Sequence, residues 1–315
     1  MSDISPVTRN HVLAAALRIA GQVERTPLIE TRIRGHSVWL KCESVQTGGA
    51  FKLRGATNRL VQLGAAERAR GVVAFSSGTH ALGVALAAQR LAIAVTIVMP
   101  SDAPALKIDG TRALGAKVVL YDRRSESREA IAARLADETG ATVVPSFDDP
   151  HIVAGQGTVG LELLDQLGQS PRKIVIPCGG GGLASGIALA CPDADIVLIE
   201  PDGWDDMRRS LELGEIVPVD ADAPPTLCDA LQTPLVSPIT FGILRDRQAQ
   251  AQAASEAEVA AAVRWAWHEH RLTVEPGGAV AIAALLAGKV EILPGTVAIV
   301  SGGNIDPALH ARLVI

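Results

Sequence analysis

The sequence predicts an α/β fold in two lobes, each an open, parallel-type twisted sheet flanked by helices. Three observations carry this prediction. Short runs rich in Val and Ile alternate with longer amphipathic stretches along the chain. The short runs are apolar throughout, as parallel strands covered on both faces are. The 315 residues are long enough to bury more than one core.

Taken in order, strands are expected at 38–42, 72–75, 95–99, 117–121, 142–145, 173–177, 196–200 and 297–301. The run 91–99 is apolar but short, and it ends at Pro100, so it reads as a buried strand. Helices are expected at 78–90, 104–114, 127–138, 155–166, 182–190, 256–270 and 277–287. Residues 66–147 form a compact strand–helix series of their own. They are expected to be a small domain inserted into a larger one made of 1–65 and 148–315. The stretch 217–240 is rich in proline and lacks periodicity, and it reads as a long surface connection.

Composition narrows the function. The chain is 48% hydrophobic and 20% charged with a net charge of −5, an ordinary globular balance. Nucleic acid and anionic membrane surfaces call for a basic face, and the basic residues here are scattered. The first ten residues are polar, with no apolar core of a signal peptide, and no stretch has the roughly 18 apolar residues of a membrane span. Cys42, Cys178, Cys191 and Cys228 lack metal-type spacing and read as reduced thiols of a cytoplasmic protein.

Four motifs carry chemistry. Lys52 stands among small and apolar neighbours in Gly48-Gly49-Ala50-Phe51-Lys52-Leu53-Arg54-Gly55-Ala56. A lysine must be partly desolvated to react near neutral pH, and these neighbours permit it. Gly179-Gly180-Gly181-Gly182 follows a strand and opens a helix, so backbone amides can approach an anion there. The spacing is neither a dinucleotide fingerprint nor a nucleotide triphosphate loop, and a tight strand–helix turn would look the same. Ser76-Ser77-Gly78-Thr79-His80 also joins a strand to a helix, and its hydroxyls and free amides can hold a carboxylate or simply cap the helix. Ser301-Gly302-Gly303-Asn304 follows the last strand and offers a hydroxyl to an aromatic nitrogen. Together the four suggest a lysine bearing pyridoxal phosphate, with a cradle for each part of it.

In this order the motifs resemble the fold-type-II pyridoxal-phosphate enzymes, the tryptophan synthase beta-like fold, and within them the serine/threonine dehydratase and serine racemase group. The resemblance runs from Thr26 to Asp306. Its most specific part is Lys41, Glu43, Gln46, Gly49, Phe51, Lys52, Arg54, Gly55 and Ala56; Ala154-Gly155-Gln156-Gly157-Thr158 and Val274-Glu275-Pro276 are also family-like. The resemblance implies that Lys52 bonds the cofactor and moves the substrate α proton, and that Phe51 packs near the ring. It implies that Gly179, Gly180, Gly181, Gly182 and Leu183 bind the phosphate and that Ser301 faces the pyridine nitrogen. Ser76, Ser77, Thr79 and His80 would take the substrate carboxylate, Ser77 would be the opposite-face acid/base of racemases, and Arg128 would lie near the substrate. Relatives carry a divalent cation at positions matching Glu200, Trp204 and Asp206, where two carboxylates and a backbone carbonyl suit magnesium or calcium.

The chain departs from the pattern in three places. Thr79 stands where Asn usually contacts the cofactor's phenolic oxygen, Leu82 replaces a polar residue, and Ala230 follows Asp229 where glycine is usual. The expected activity is a dehydratase (ammonia-lyase) turning a small 3-hydroxy amino acid such as L-threonine or L-serine into a 2-keto acid and ammonia. The alternatives are serine or hydroxyaspartate racemisation on the same site, β-replacement, and a catalytically silent small-molecule binding protein. A homodimer is expected, and feedback control is not, since no regulatory domain follows the last motif.

Overall fold

The computed structural model describes residues 7–76 and 78–315. The chain begins with α1 (Arg9–Ile19) and the hairpin β1 (Leu28–Ile33) and β2 (His36–Cys42). The turn residues Arg34 and Gly35 both have positive φ, 51° and 83°, which gives a two-residue hairpin the twist its strands need. There follow α2 (Lys52–Leu60), α3 (Ala65–Arg70), β3 (Val72–Phe75), α4 (Thr79–Arg90), β4 (Val95–Pro100), α5 (Ala105–Ala113), β5 (Lys117–Tyr121), α6 (Arg128–Thr139) and β6 (Thr142–Val143). The rest comprises α7 (Pro150–Leu167), β7 (Lys173–Pro177), α8 (Gly182–Ala190), β8 (Asp195–Pro201), α9 (Asp206–Leu213), α10 (Pro238–Asp246), β9 (Gln250–Ala254), α11 (Glu256–His270), α12 (Pro276–Leu286), β10 (Thr296–Val300) and α13 (Pro307–Leu313).

The strands form two sheets. The larger has the order β1-β2-β10-β7-β8-β9 and is parallel except for the β1–β2 pair. The smaller has the order β5-β4-β3-β6 and is parallel throughout. In the larger sheet every residue of β7 and β10 is buried. One layer of apolar side chains comes from α11 and α12, including Val259, Val263, Val280 and Ala284. A second comes from α7 and α8, including Val159, Leu163 and Ile187. The α12 sequence Pro-Gly-Gly-Ala-Val-Ala-Ile-Ala-Ala-Leu-Leu has no polar side, and all eleven residues are buried except Leu286. Helices α7 and α8 touch backbone to backbone, and a Cβ on Gly186 would come within 2.4 Å of the Gly157 nitrogen. Beside the smaller sheet, Leu53, Ala56 and Leu60 of α2 pack with Ala74, Val84 and Ile97.

Two strands were not foreseen. Both lie at sheet edges: β1 is half-buried, and β9 (Gln-Ala-Gln-Ala-Ala) has only small apolar side chains. Neither has the continuous apolar run of a strand covered on both sides. The strand expected at 142–145 is only Thr142–Val143. The stretch 217–240 is not a pure surface connection. Its middle folds inward, with Cys228 0% and Val236 2% exposed, and α10 starts at Pro238.

A buried ion network joins β2, α2 and α7. Arg54, 0% exposed, donates from Nε and Nη2 to the two Glu43 oxygens at 2.8 Å each and from Nη1 to Glu162 at 2.6 Å. Lys41 Nζ also donates to Glu162 at 2.6 Å and to the Thr26 carbonyl at 2.9 Å. Burial works against the Arg54 charge, but Glu43 and Glu162 outweigh it and raise its pKa. Arg54→Met would strip Glu43 of its cation while keeping it buried. Removing one partner of a buried pair costs about 3–5 kcal/mol, and urea unfolding should show a loss of that size. A loss within error of zero would mean that Glu43 finds another partner.

Candidate active site

Lys52 is the first residue of α2, at the bottom of a cleft between the two sheets. The loop before it is strapped to the loop after β10. Phe51 N donates to the Ser301 carbonyl at 3.2 Å, Gly303 N to Gly49 O at 2.8 Å and Asn304 Nδ2 to Gly48 O at 2.9 Å. Gly49 has φ of +77°, and a Cβ there would sit 2.1 Å from Asn304 Oδ1, so no larger residue fits this strap. Lys52 and Ser301 are thereby fixed relative to each other. Lys52 Nζ donates to the Ser146 carbonyl at 3.0 Å. Burial pushes its pKa down to about 8, with Glu275 pulling the other way. A larger share of the amine is therefore unprotonated near neutral pH than in an ordinary lysine, as a carbonyl-attacking lysine requires.

Across the cleft, Gly179, Gly180, Gly181, Gly182 and Leu183 join β7 to α8 and line the wall. The first amides of α8 have no intrahelical acceptor, and the helix dipole adds positive partial charge. Phe147 lies against this wall, where a Cβ on Gly180 would come within 2.3 Å of its ring.

Ser76 of the loop ahead of α4, with Thr79 and His80 at the start of that helix, completes the lining. Ser76 Oγ accepts from Gly78 N at 3.1 Å, which uses the hydroxyl within the loop. Ser77 lies outside the described residues. The His80 side chain is 2% exposed, and Nε2 meets the Val144 carbonyl at 3.1 Å. A carbonyl only accepts, so Nε2 carries the proton and Nδ1 is an acceptor with no partner among the described residues. Burial, then the Lys52 charge, lowers its pKa to about 3. The ring is thus neutral and cannot pair with a carboxylate as a cation. Arg128 begins α6, with its guanidinium 5.5 Å over the Phe75 ring and Nε on Glu129 at 2.8 Å.

The structure thus gathers Phe51, Lys52, Ser76, Thr79, His80, Arg128, the glycine wall and Ser301 around one cleft. It adds residues not singled out for the site: Ser146, Phe147, Glu275 and the loop 229–233. Glu275 directly precedes Pro276 at the start of α12, and its one visible signal in the sequence was the family-like segment Val274-Glu275-Pro276. Glu200, Trp204 and Asp206 lie elsewhere, where β8 leads into α9.

A match to the pyridoxal-phosphate dependent enzyme family covers residues 19–302. The chain belongs to that family. The L-threo-3-hydroxyaspartate ammonia-lyase of a Pseudomonas species is 42% identical to the enzyme over 96% of this chain and 97% of its own. The L-threonine ammonia-lyase of Thermotoga maritima is 38% identical over 98% of this chain and 78% of its own. Among solved structures, maize serine racemase superposes with a TM-score of 0.91 at 33% identity, covering 97% of this chain and 96% of that one. The residues in the cleft fit the family's cofactor: an amine of lowered pKa for its aldehyde, a side-chain-free helix start for its phosphate and a hydroxyl for its ring nitrogen.

Gly180→Ala tests the phosphate wall. The added methyl must displace Phe147, and overpacking of this kind costs about 1–3 kcal/mol. Cofactor titration into the apoenzyme should show affinity falling roughly tenfold, with the helical circular dichroism unchanged. Unchanged affinity would place the phosphate elsewhere.

Proposed function

We propose that this enzyme removes water from a small 3-hydroxy amino acid, and that the enamine formed takes water back to release a 2-keto acid and ammonia. One observation carries the reading: a half-buried lysine of lowered pKa shares a single cleft with a glycine-built helix start and a serine hydroxyl. Bound there, pyridoxal phosphate supplies an electron sink for the pair left when the α proton departs.

The chain's own residues divide the remaining work. The Lys52 amine would hold the cofactor by its aldehyde and, when free, would take the α proton. Ser301, which lines the cleft, would hydrogen-bond the ring nitrogen. Unlike a carboxylate, a hydroxyl does not favour protonation there, and a milder sink suits elimination. The amides of the 76–80 loop receive the substrate carboxylate, His80 through its backbone because its ring is neutral. Arg128 reads the far end of the substrate. Its fork of donors matches a second carboxylate, so 3-hydroxyaspartate is the proposed substrate; the 42% identical relative carries that substrate in its name.

Keto-acid release across hydroxyaspartate, serine and threonine tests this. Lys52→Ala should lose the visible cofactor band and turnover, and undiminished turnover sinks the mechanism. Arg128→Ala should lose roughly tenfold to hundredfold in kcat/KM for hydroxyaspartate and far less for serine. An equal loss for both would remove Arg128 as the reader of the second carboxylate.

We further propose a structural cation at Glu200 and Asp206. Both are 0% exposed. Glu200 accepts from the amides of Met207 and Arg208, at 3.1 and 2.8 Å. The Asp206 oxygens are met only by poorly aligned amides of its own residue and Val236. Burial pushes both carboxyls up, Asp206 to about 7, and Asp206 adds to the rise at Glu200. A hard cation would relieve this strain. Among the described residues no group of three or more His, Cys, Asp or Glu converges on a metal position, so a carbonyl such as that of Trp204 and water would complete the shell. Magnesium or calcium at a hundred times its dissociation constant should stabilise the fold by about 2.7 kcal/mol. Glu200→Gln should abolish the rise in melting temperature. Identical melting with chelator and with excess cation would leave an empty acidic turn.

A further inference from the structure

Thr79 Oγ1 lies 3.3 and 3.4 Å from the two oxygens of Glu275, and the two side chains are 6% and 5% exposed. Both line the cleft. We propose that Glu275 acts through Thr79 as a positioning residue, its proton deciding whether the one Thr79 hydroxyl hydrogen points at Glu275 or at the cofactor's phenolic oxygen. The inference rests on the cofactor reading above.

The position follows from the order of substituents around the ring. With the aldehyde carbon at Lys52, the phosphate arm at the glycine wall and the nitrogen at Ser301, the phenolic oxygen faces the edge away from the phosphate. That edge runs from Lys52 to Ser301. Thr79 starts α4, which crosses directly over Lys52: a Cβ on Gly83 would stand 3.1 Å from the Lys52 carbonyl carbon. Glu275 borders the other end, with its amide donating to Gly302 O at 3.0 Å and its Oε1 2.1 Å from where a Gly302 Cβ would be. The pair therefore spans the phenolic edge.

A threonine hydroxyl has one hydrogen to give and two lone pairs. An ionised Glu275 only accepts, so it claims that hydrogen. A protonated Glu275 donates to Thr79 Oγ1, and the threonine hydrogen is released toward the phenolic oxygen. An asparagine at position 79 would have two amide hydrogens and could serve both acceptors at once, so the choice arises from threonine.

The surroundings put the change in a useful range. Burial raises the Glu275 pKa to about 7; Lys107, Thr79 and Lys52 hold it back, while Asp229 adds to it. Lys107 approaches from α5 and is itself paired with Asp229 at 3.0 Å. The Cys228 thiol, the remaining titratable neighbour, is pushed up to about 12 and stays neutral.

The test is the visible absorption of the holoenzyme between about pH 5 and 9, two units either side of the Glu275 midpoint. Wild type and Thr79→Ser should show a step near neutral pH. Glu275→Gln, whose amide donates at every pH, should hold the acid-side spectrum throughout. Thr79→Val should show no step. A wild type without the step, or a Glu275→Gln or Thr79→Val enzyme that keeps it, overturns the proposal. If Glu275→Gln does not fold, Thr79→Val against Thr79→Ser decides alone. A wild type with no visible band would be a failure of the cofactor reading instead.

Discussion

The placement of Lys52 depends on an ion network to which it does not belong. Arg54 lies two residues further along α2, so the two side chains leave the helix roughly 200° apart. Clamping Arg54 at the back therefore turns Lys52 toward the cleft. The clamp joins Glu43, just past the end of β2, to Glu162 in the middle of α7, and Lys41 braces Glu162 from the side. A buried pair of this kind gains little net stability over apolar packing. What it adds here is direction: a guanidinium fork bound to two carboxylates fixes the rotation of a nine-residue helix more tightly than methyl groups can.

A second constraint acts at the cleft wall. The cofactor phosphate is the most highly charged group the site must hold, yet the only Lys and Arg among the described residues lining the cleft are Lys52 and Arg128. In the proposed site Lys52 takes the aldehyde. The phosphate would then fall to backbone amides and the α8 dipole, which need bare glycine to come close enough. At Gly180, one of these glycines, the Phe147 ring occupies the place an added methyl would need. On that proposal Arg128, whose Nε meets Glu129, keeps its outer nitrogens for substrate, and the wall and the substrate preference are linked through the allotment of charge.

The sequence displayed those features whose physics is local. Strands β7 and β10 are apolar at every position because both faces are covered, and the glycine run and the string around Lys52 stand out at once. Strands β1 and β9 did not, because an edge strand of small or half-buried residues has no such run. The inward turn of 217–240 was hidden by its prolines: Cys228 and Val236 are buried by partners far along the chain. Glu200 and Asp206 were visible as an acidic cluster. Their full burial was not, since it depends on α9 folding back over the end of β8. Glu275 was legible only as part of a family-like segment, because its importance comes from Thr79, 196 positions away.

That last pair shows how one substitution alters a site without changing its shape. His80 is neutral, and the pull of Lys107 on Glu275 is opposed by burial and by Asp229, with which Lys107 is paired. The carboxyl is thus poised between its two forms, and the group in contact with it can pass on either form but cannot hide it. A threonine hydroxyl reports the state of its neighbour because its single hydrogen must choose. The electronic character of the ring edge then depends on a carboxyl that need not touch the ring, and the scaffold of strands, glycines and ion pairs around it can stay as it is.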